Sequence, residues 1–175
     1  MKGQIQFQLP DPPPSRICMD LAEWTGNGTG VFGWSGKASR SSRIEWGGIT
    51  FWPSPRSDRA DLVRLGAPWG LSFHIDGDPA PEVPLYPVPG LEVFAWDEGG
   101  WLGPLAQNGS HPMVYLRRDG AVFRAAEDVY AFVQLLRDGT DWQAGLVPEP
   151  GIQIYISRED AAREWFFLRR EAPPQ

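Results

Sequence analysis

Cysteine, histidine and lysine are scarce in this chain. Cys18 is its sole cysteine, so neither an intrachain disulfide nor a cysteine-built metal site can form. Histidine occurs only at His74 and His111, too few for a histidine-rich catalytic zinc centre. Basic side chains number 16 against 22 acidic ones, and all but Lys2 and Lys37 are arginine. The net charge of −6 repels phosphate backbones, so sequence-independent nucleic-acid binding loses its main electrostatic contribution. A basic partner is instead attracted and steered. No stretch approaches the ~18 consecutive apolar residues of a membrane-spanning helix. The opening residues, Met1 to Gln8, are polar and alternating rather than an apolar leader. The expected compartment is therefore a reducing cytoplasm, where the Asn-x-Ser/Thr matches at Asn27 and Asn108 acquire no glycan.

Glycine, proline and tryptophan are abundant. The 20 glycines and 18 prolines among 175 residues punctuate most of the chain. A proline inside a helix costs about 3 kcal/mol and a glycine about 1 kcal/mol, which excludes a long helical bundle. An apolar fraction of 42% with 22% charged residues is ordinary for one globular domain of this length. We expect one strand-rich α+β domain over 1–175, with a central, mostly antiparallel sheet and two or three helices, two of them in the C-terminal half. Within it, 1–90 is a glycine- and aromatic-rich strand region, 91–170 is more regular, and 171–175 is a frayed tail.

Local patterns place the elements. Ile5, Phe7 and Leu9 alternate as a strand. Residues 31–34 and 44–52 form two strands joined by a polar loop at 37–42. Ser57 to Asp61 has the spacing of a capping box, opening a short helix that ends before Gly66 and Pro68. A strand follows from Trp69 to Ile75. The proline-dense connection over 76–89 can hold neither helix nor central strand. Leu91 to Trp96 is a strand turning at Gly99-Gly100 into Trp101-Leu102. Met113–Leu116 pairs with Ala121–Phe123 across Arg117-Arg118-Asp119-Gly120, because Asp-Gly between apolar runs is a hairpin signal. Val129, Phe132, Val133 and Leu136 share one face of a helix closed by Gly139. Ile152, Ile154 and Ile156 alternate on a strand. Ser157 caps a final helix that turns Ala161, Trp165 and Leu168 inward.

Several motifs suggest chemistry without completing it. Gly28-Thr29-Gly30-Val31-Phe32-Gly33 has the glycine spacing of a dinucleotide loop, but neither a strong strand before it nor a helix start after it. It fits a glycine-rich hairpin better. His74, Asp76 and Asp78, with Glu82 nearby, are the best metal-like cluster. On a strand His74 and Asp76 share a face, yet a hydrolytic site wants three or more ligands with a second shell, the one other histidine is His111, and Asp-Gly-Asp-Pro also spells a plain turn. Ser110, His111 and Asp119 supply triad elements by type only, since adjacent residues on an extended chain point opposite ways. We therefore nominate no catalytic residue, no cofactor and no metal site. Of the nine tryptophans, most belong to the core. Trp96 and Trp101, which flank Asp97-Glu98-Gly99-Gly100, are the ones expected to be partly exposed, a suitable composition for holding a basic protein.

Residues 91–139 resemble the SUKH superfamily, which includes bacterial immunity proteins and cell-wall-synthesis regulators. The resemblance rests on Phe94-Ala95-Trp96-Asp97-Glu98-Gly99-Gly100, then His111-Pro112-Met113-Val114-Tyr115-Leu116 and Asp119-Gly120. It continues through Ala125-Ala126-Glu127-Asp128-Val129 and Phe132 to Leu135-Leu136-Arg137-Asp138-Gly139. It covers less than a third of the chain, lacks the family's N-terminal helical part, and has Trp101-Leu102 where the family has a histidine. The resemblance implies a non-enzymatic α+β domain that binds and neutralises a toxin, often a nuclease. The acidic balance suits such a basic partner. The expected contacts are Trp96, Asp97, Glu98 and Trp101, with Asp119 beside them. The alternatives are a carbohydrate-binding module using exposed tryptophans and a small metal-dependent hydrolase centred on His74, Asp76 and Asp78. No oligomeric state follows from the sequence.

Overall fold

A computed structural model describes residues 14–24, 43–106 and 111–168. The expected strands at 5–9 and 31–34, the loop at 37–42, the glycine motif at 28–33, Asn27, Asn108, Ser110 and the tail lie outside the described residues. The first half runs β1 (Arg16–Asp20), α1 (Leu21–Trp24), β2 (Arg43–Gly47), β3 (Ile49–Phe51), α2 (Arg59–Gly66) and β4 (Ser72–Phe73). Next come β5 (Tyr86–Val88), β6 (Leu91–Val93), β7 (Ala95–Trp96), β8 (Gly100–Pro104), β9 (Met113–Arg117) and β10 (Val122–Ala126). The chain closes with α3 (Val129–Arg137), β11 (Val147–Pro148), β12 (Gln153–Tyr155), the single turn α4 (Arg158–Ala161) and β13 (Phe166–Leu168). The fold is α+β and strand-rich, as expected. No helix among the described residues is long and apolar enough to cross a membrane.

The centre is a six-stranded sheet in the order β11-β10-β9-β8-β7-β4, with every neighbouring pair antiparallel. Because side chains alternate along a strand, Leu102, Met113 and Tyr115 enter one core cluster while Trp101, Val114 and Leu116 enter another. Helix α3 covers the first face with Phe132 and Leu136, joined by Trp142. Asp128 caps this helix, its side chain accepting from the Ala131 N–H at 2.7 Å. Gly139, at φ 68°, takes the left-handed position that ends it. The second face is closed by β3 and β6, which run parallel with Ile49, Phe51, Leu91 and Val93 inward, and by Ile152 and Ile154. A third cluster of Cys18, Tyr86, Val88, Ala161 and Trp165 joins the parallel sheet β13-β1-β2 to the β12-β5 ladder. Asp20, 1% exposed, bonds the Arg158 guanidinium at 2.6 Å and so pins β1 to α4.

Four local expectations are corrected. Ser57 does not cap a helix: it donates to Asp58 at 3.3 Å, and a 3₁₀ turn over 56–58 leads into α2 without any side-chain cap. Trp69 belongs to a second 3₁₀ turn, so the strand after it shrinks to Ser72–Phe73. The proline-dense connection does hold a buried strand, β5, paired with β12. Pro87 is tolerated because its carbonyl still accepts from the Gly48 N–H at 2.8 Å and the ladder has only two strands. The last helix stops after one turn, and Phe166–Leu168 pairs in parallel with β1 instead.

Candidate functional site

Two turns meet at one end of the six-stranded sheet. Gly100 pairs with Arg117 across β8 and β9, so the β7–β8 turn and the β9–β10 turn are neighbours. Their backbones touch: the Arg118 N–H donates to the Gly99 carbonyl at 3.0 Å. The Arg118 Nε also donates to the Glu98 carbonyl at 2.6 Å, and its guanidinium lies 4.8 Å from the Trp101 ring centre. Gly120, at φ 89°, supplies the left-handed residue that the second turn requires. Gly99 serves close approach, since a Cβ there would overlap the Tyr115 hydroxyl.

Asp97 holds this end together. Its Oδ1 accepts from the Gly99 N–H at 2.8 Å, the Gly100 N–H at 2.9 Å and the Tyr115 hydroxyl at 2.8 Å. Its Oδ2 lies 3.5 Å from the Gln143 amide. Burial first, and then the bond to Asp97, raises the Tyr115 hydroxyl above its ordinary value. The Tyr115 ring packs edge-on against Trp142 at 5.2 Å, linking the turn to the α3-side core.

The expected contacts fare differently. Glu98 is exposed and Trp96 and Asp97 are half-buried; among the described residues Glu98 makes no ion pair. Trp101 is a correction: it is 1% exposed, lies within the second core cluster and is covered by Arg118. Asp119 is exposed but paired with Arg117, and it also accepts from the Ala121 N–H at 3.0 Å. The Arg117 guanidinium holds its carboxyl below the usual carboxylate range. Arg117 and Arg118 were not singled out as site residues, yet they interleave with the three acids. The Arg117-Arg118-Asp119-Gly120 hairpin signal contained them; what it lacked was the neighbouring turn.

The metal-like cluster does not assemble. Asp78 is taken bidentately by Arg59 at 2.9 and 2.7 Å, which lowers its carboxyl from the ordinary value. Asp76 is exposed beside Gly77, while His74 is buried with its ring 5.2 Å from Phe51 and 6.5 Å from Trp96. No group of three or more histidine, cysteine or acidic side chains among the described residues could hold a metal ion. His111 is likewise apart from Asp119: its Nδ1 meets the Leu105 carbonyl at 3.2 Å. Compared with known protein families, curated proteins and solved structures, the chain matches none.

Proposed function

We propose that this chain is a non-enzymatic, immunity-type binding module that captures a basic, nuclease-like protein in the cytoplasm through the paired turns. The observation that carries the reading is an exposed Glu98 beside a half-buried Trp96 on a turn braced by Asp97. Such preorganisation lowers the ordering cost of association. An exposed ion pair contributes only about 0–1 kcal/mol, so Glu98 and the −6 net charge act mainly on the association rate. The Trp96 indole supplies the larger part of the contact energy, as buried aromatics do at interfaces. The SUKH-like run over 91–139 includes both turns and agrees with this use.

The test is capture from the native cytosol at low and high salt, followed by nuclease assays of the captured protein with and without the chain. Glu98→Lys and Trp96→Ala are compared with the unaltered protein. A basic nuclease that is inhibited by the chain, weakened in association by Glu98→Lys and released faster from Trp96→Ala supports the reading. Retention unaffected by either change removes the paired turns as the interface. Failure to capture any basic protein at either salt overturns the immunity reading. Asp97 is left intact because its removal opens the turn itself.

A further inference from the structure

Five charged side chains crowd the paired turns: Asp97 and Glu98 on one, Arg117, Arg118 and Asp119 on the other. Three of them are committed within the molecule. Asp97 accepts from two turn amides and the Tyr115 hydroxyl. Arg117 and Asp119 take each other, the Arg117 Nε donating to Asp119 Oδ1 at 3.2 Å. Two charges are left over. Glu98 is exposed and makes no ion pair among the described residues. Arg118 is exposed as well, and among the described residues its guanidinium bonds only through Nε, which donates to the Glu98 carbonyl at 2.6 Å. One acid and one base thus stand side by side, each with its charge unanswered.

Arg118 is held in place before anything binds. Its backbone N–H donates to the Gly99 carbonyl at 3.0 Å, and its guanidinium lies 4.8 Å from the ring centre of Trp101, which is fixed in the second core cluster. A guanidinium with one face on an indole and its Nε bonded keeps one fork, the end-on pair of Nη1 and Nη2. That fork matches the two oxygens of a carboxylate. The rotamer freedom that a long side chain ordinarily loses on pairing is here lost already on folding, which lowers the cost of binding.

The neighbours of Arg118 choose among anions. A phosphate dianion would meet Glu98, Asp119 and a chain of net charge −6, and that repulsion grows with the charge of the ligand. A carboxylate carries a single charge, and a base beside it answers Glu98. A ligand with only one of the two charges leaves the other half of the doublet facing its like or facing nothing. The fitting partner surface therefore presents an acid and a base together, and a purely basic surface is discriminated against.

We propose that Arg118 is a specificity-determining residue of the paired turns, taking a carboxylate of the partner protein end-on while Glu98 takes a neighbouring basic side chain. The inference rests on the paired turns being the binding face, and it adds a required acid to the basic partner. The test is an NMR titration of the full chain with blocked peptides that carry a lysine and a glutamate separated by zero to three glycines. The expected result is a saturable shift of the Arg118 Nε–H signal with at least one peptide, larger than at Arg137, an exposed arginine at the end of α3. Replacing the peptide's glutamate by glutamine should weaken binding about fivefold, the scale of one well-oriented surface ion pair. Arg118→Met, which keeps apolar cover over Trp101, should abolish that preference, read from the Gly99 and Gly120 amides, with thermal melts confirming the fold. The proposal is overturned if no peptide shifts Arg118 more than Arg137, if glutamate and glutamine peptides bind alike, or if folded Arg118→Met keeps the preference. A nuclease captured through Glu98 and Trp96 but bound equally well by Arg118→Met overturns this inference and leaves the binding reading intact. Where no basic protein is captured, the immunity reading falls, and the peptide preference still decides the role of Arg118.

Discussion

Asp97 and Glu98 are adjacent carboxylates whose surroundings assign them different work. Asp97 spends its acceptor capacity inside the molecule, on two turn amides and the Tyr115 hydroxyl, whereas Glu98 projects into solvent. Sequence alone treats them as equals; the turn separates them. Glu92 shows a third outcome. It lies half-buried on β6, and burial raises its carboxyl above the ordinary value of 4.5, with the His111 charge pulling it partway back. A carboxyl whose folded value exceeds its unfolded value contributes no destabilisation below the unfolded value. It destabilises progressively as pH rises through the folded one. Glu92→Gln removes that penalty. We expect the variant to melt higher than the unaltered protein at pH 7.5, with the difference shrinking to nothing near pH 4. Solvent screening at this half-buried site keeps the gain below about 1 kcal/mol, or roughly 2–4 °C. Paired thermal melts across that pH range check it, and a gap that widens on acidification would contradict the assigned sign.

The two longer helices begin by different means, and substitutions at their starts should register the difference. Asp128 accepts from the Ala131 N–H, so Asp128→Ala leaves a first-turn donor without its partner and costs about 1 kcal/mol. Among the described residues Ser57 bonds only its neighbour Asp58, so Ser57→Ala stays within about 0.5 kcal/mol of the unaltered protein. Urea denaturation of both variants reads the contrast; equal losses would mean that Ser57 does cap α2 in solution. The same contrast explains what could be read in advance. Helix α3 was legible because Val129, Phe132, Val133 and Leu136 repeat at helical spacing, and β9–β10 because Asp119-Gly120 dictates the turn. Strand β5 was not, since Pro87 masks a pairing decided by β12 far along the chain. Nor was β13, whose partner Ile17 is almost the whole chain away from Phe166. Trp101 was misplaced for a related reason. With both faces of the central sheet buried, Trp101-Leu102 and Val114-Tyr115-Leu116 are continuous apolar runs, and alternation no longer marks a solvent side. Of the site, the two turns were legible singly; their adjacency, and with it Arg117 and Arg118, required the β8–β9 register.

At the scale of the molecule, the three core clusters are not equivalent. The first two share the six-stranded sheet and lie on its opposite faces, so neither can open without exposing the other's strands. The third draws on β1, β5, β12, β13 and α4, none of which belongs to that sheet. Cooperative units of folding follow such contiguous packing, and a layer outside the main sheet opens at lower free energy than the whole. Cys18 reports on that layer directly. Its side chain is wholly buried, and burial, reinforced by the Asp20 and Glu45 charges, pushes its thiol up to about 12. At pH 8 it is neither accessible nor ionised in the closed form, so a thiol reagent reacts only through opening. As this is the sole cysteine, native-state labelling isolates one event. We expect labelling rates to give an opening free energy at least about 2 kcal/mol below the global value from urea, within the usual ~5–15 kcal/mol range for a domain. Labelling governed by the global value would show the layers to unfold as one unit.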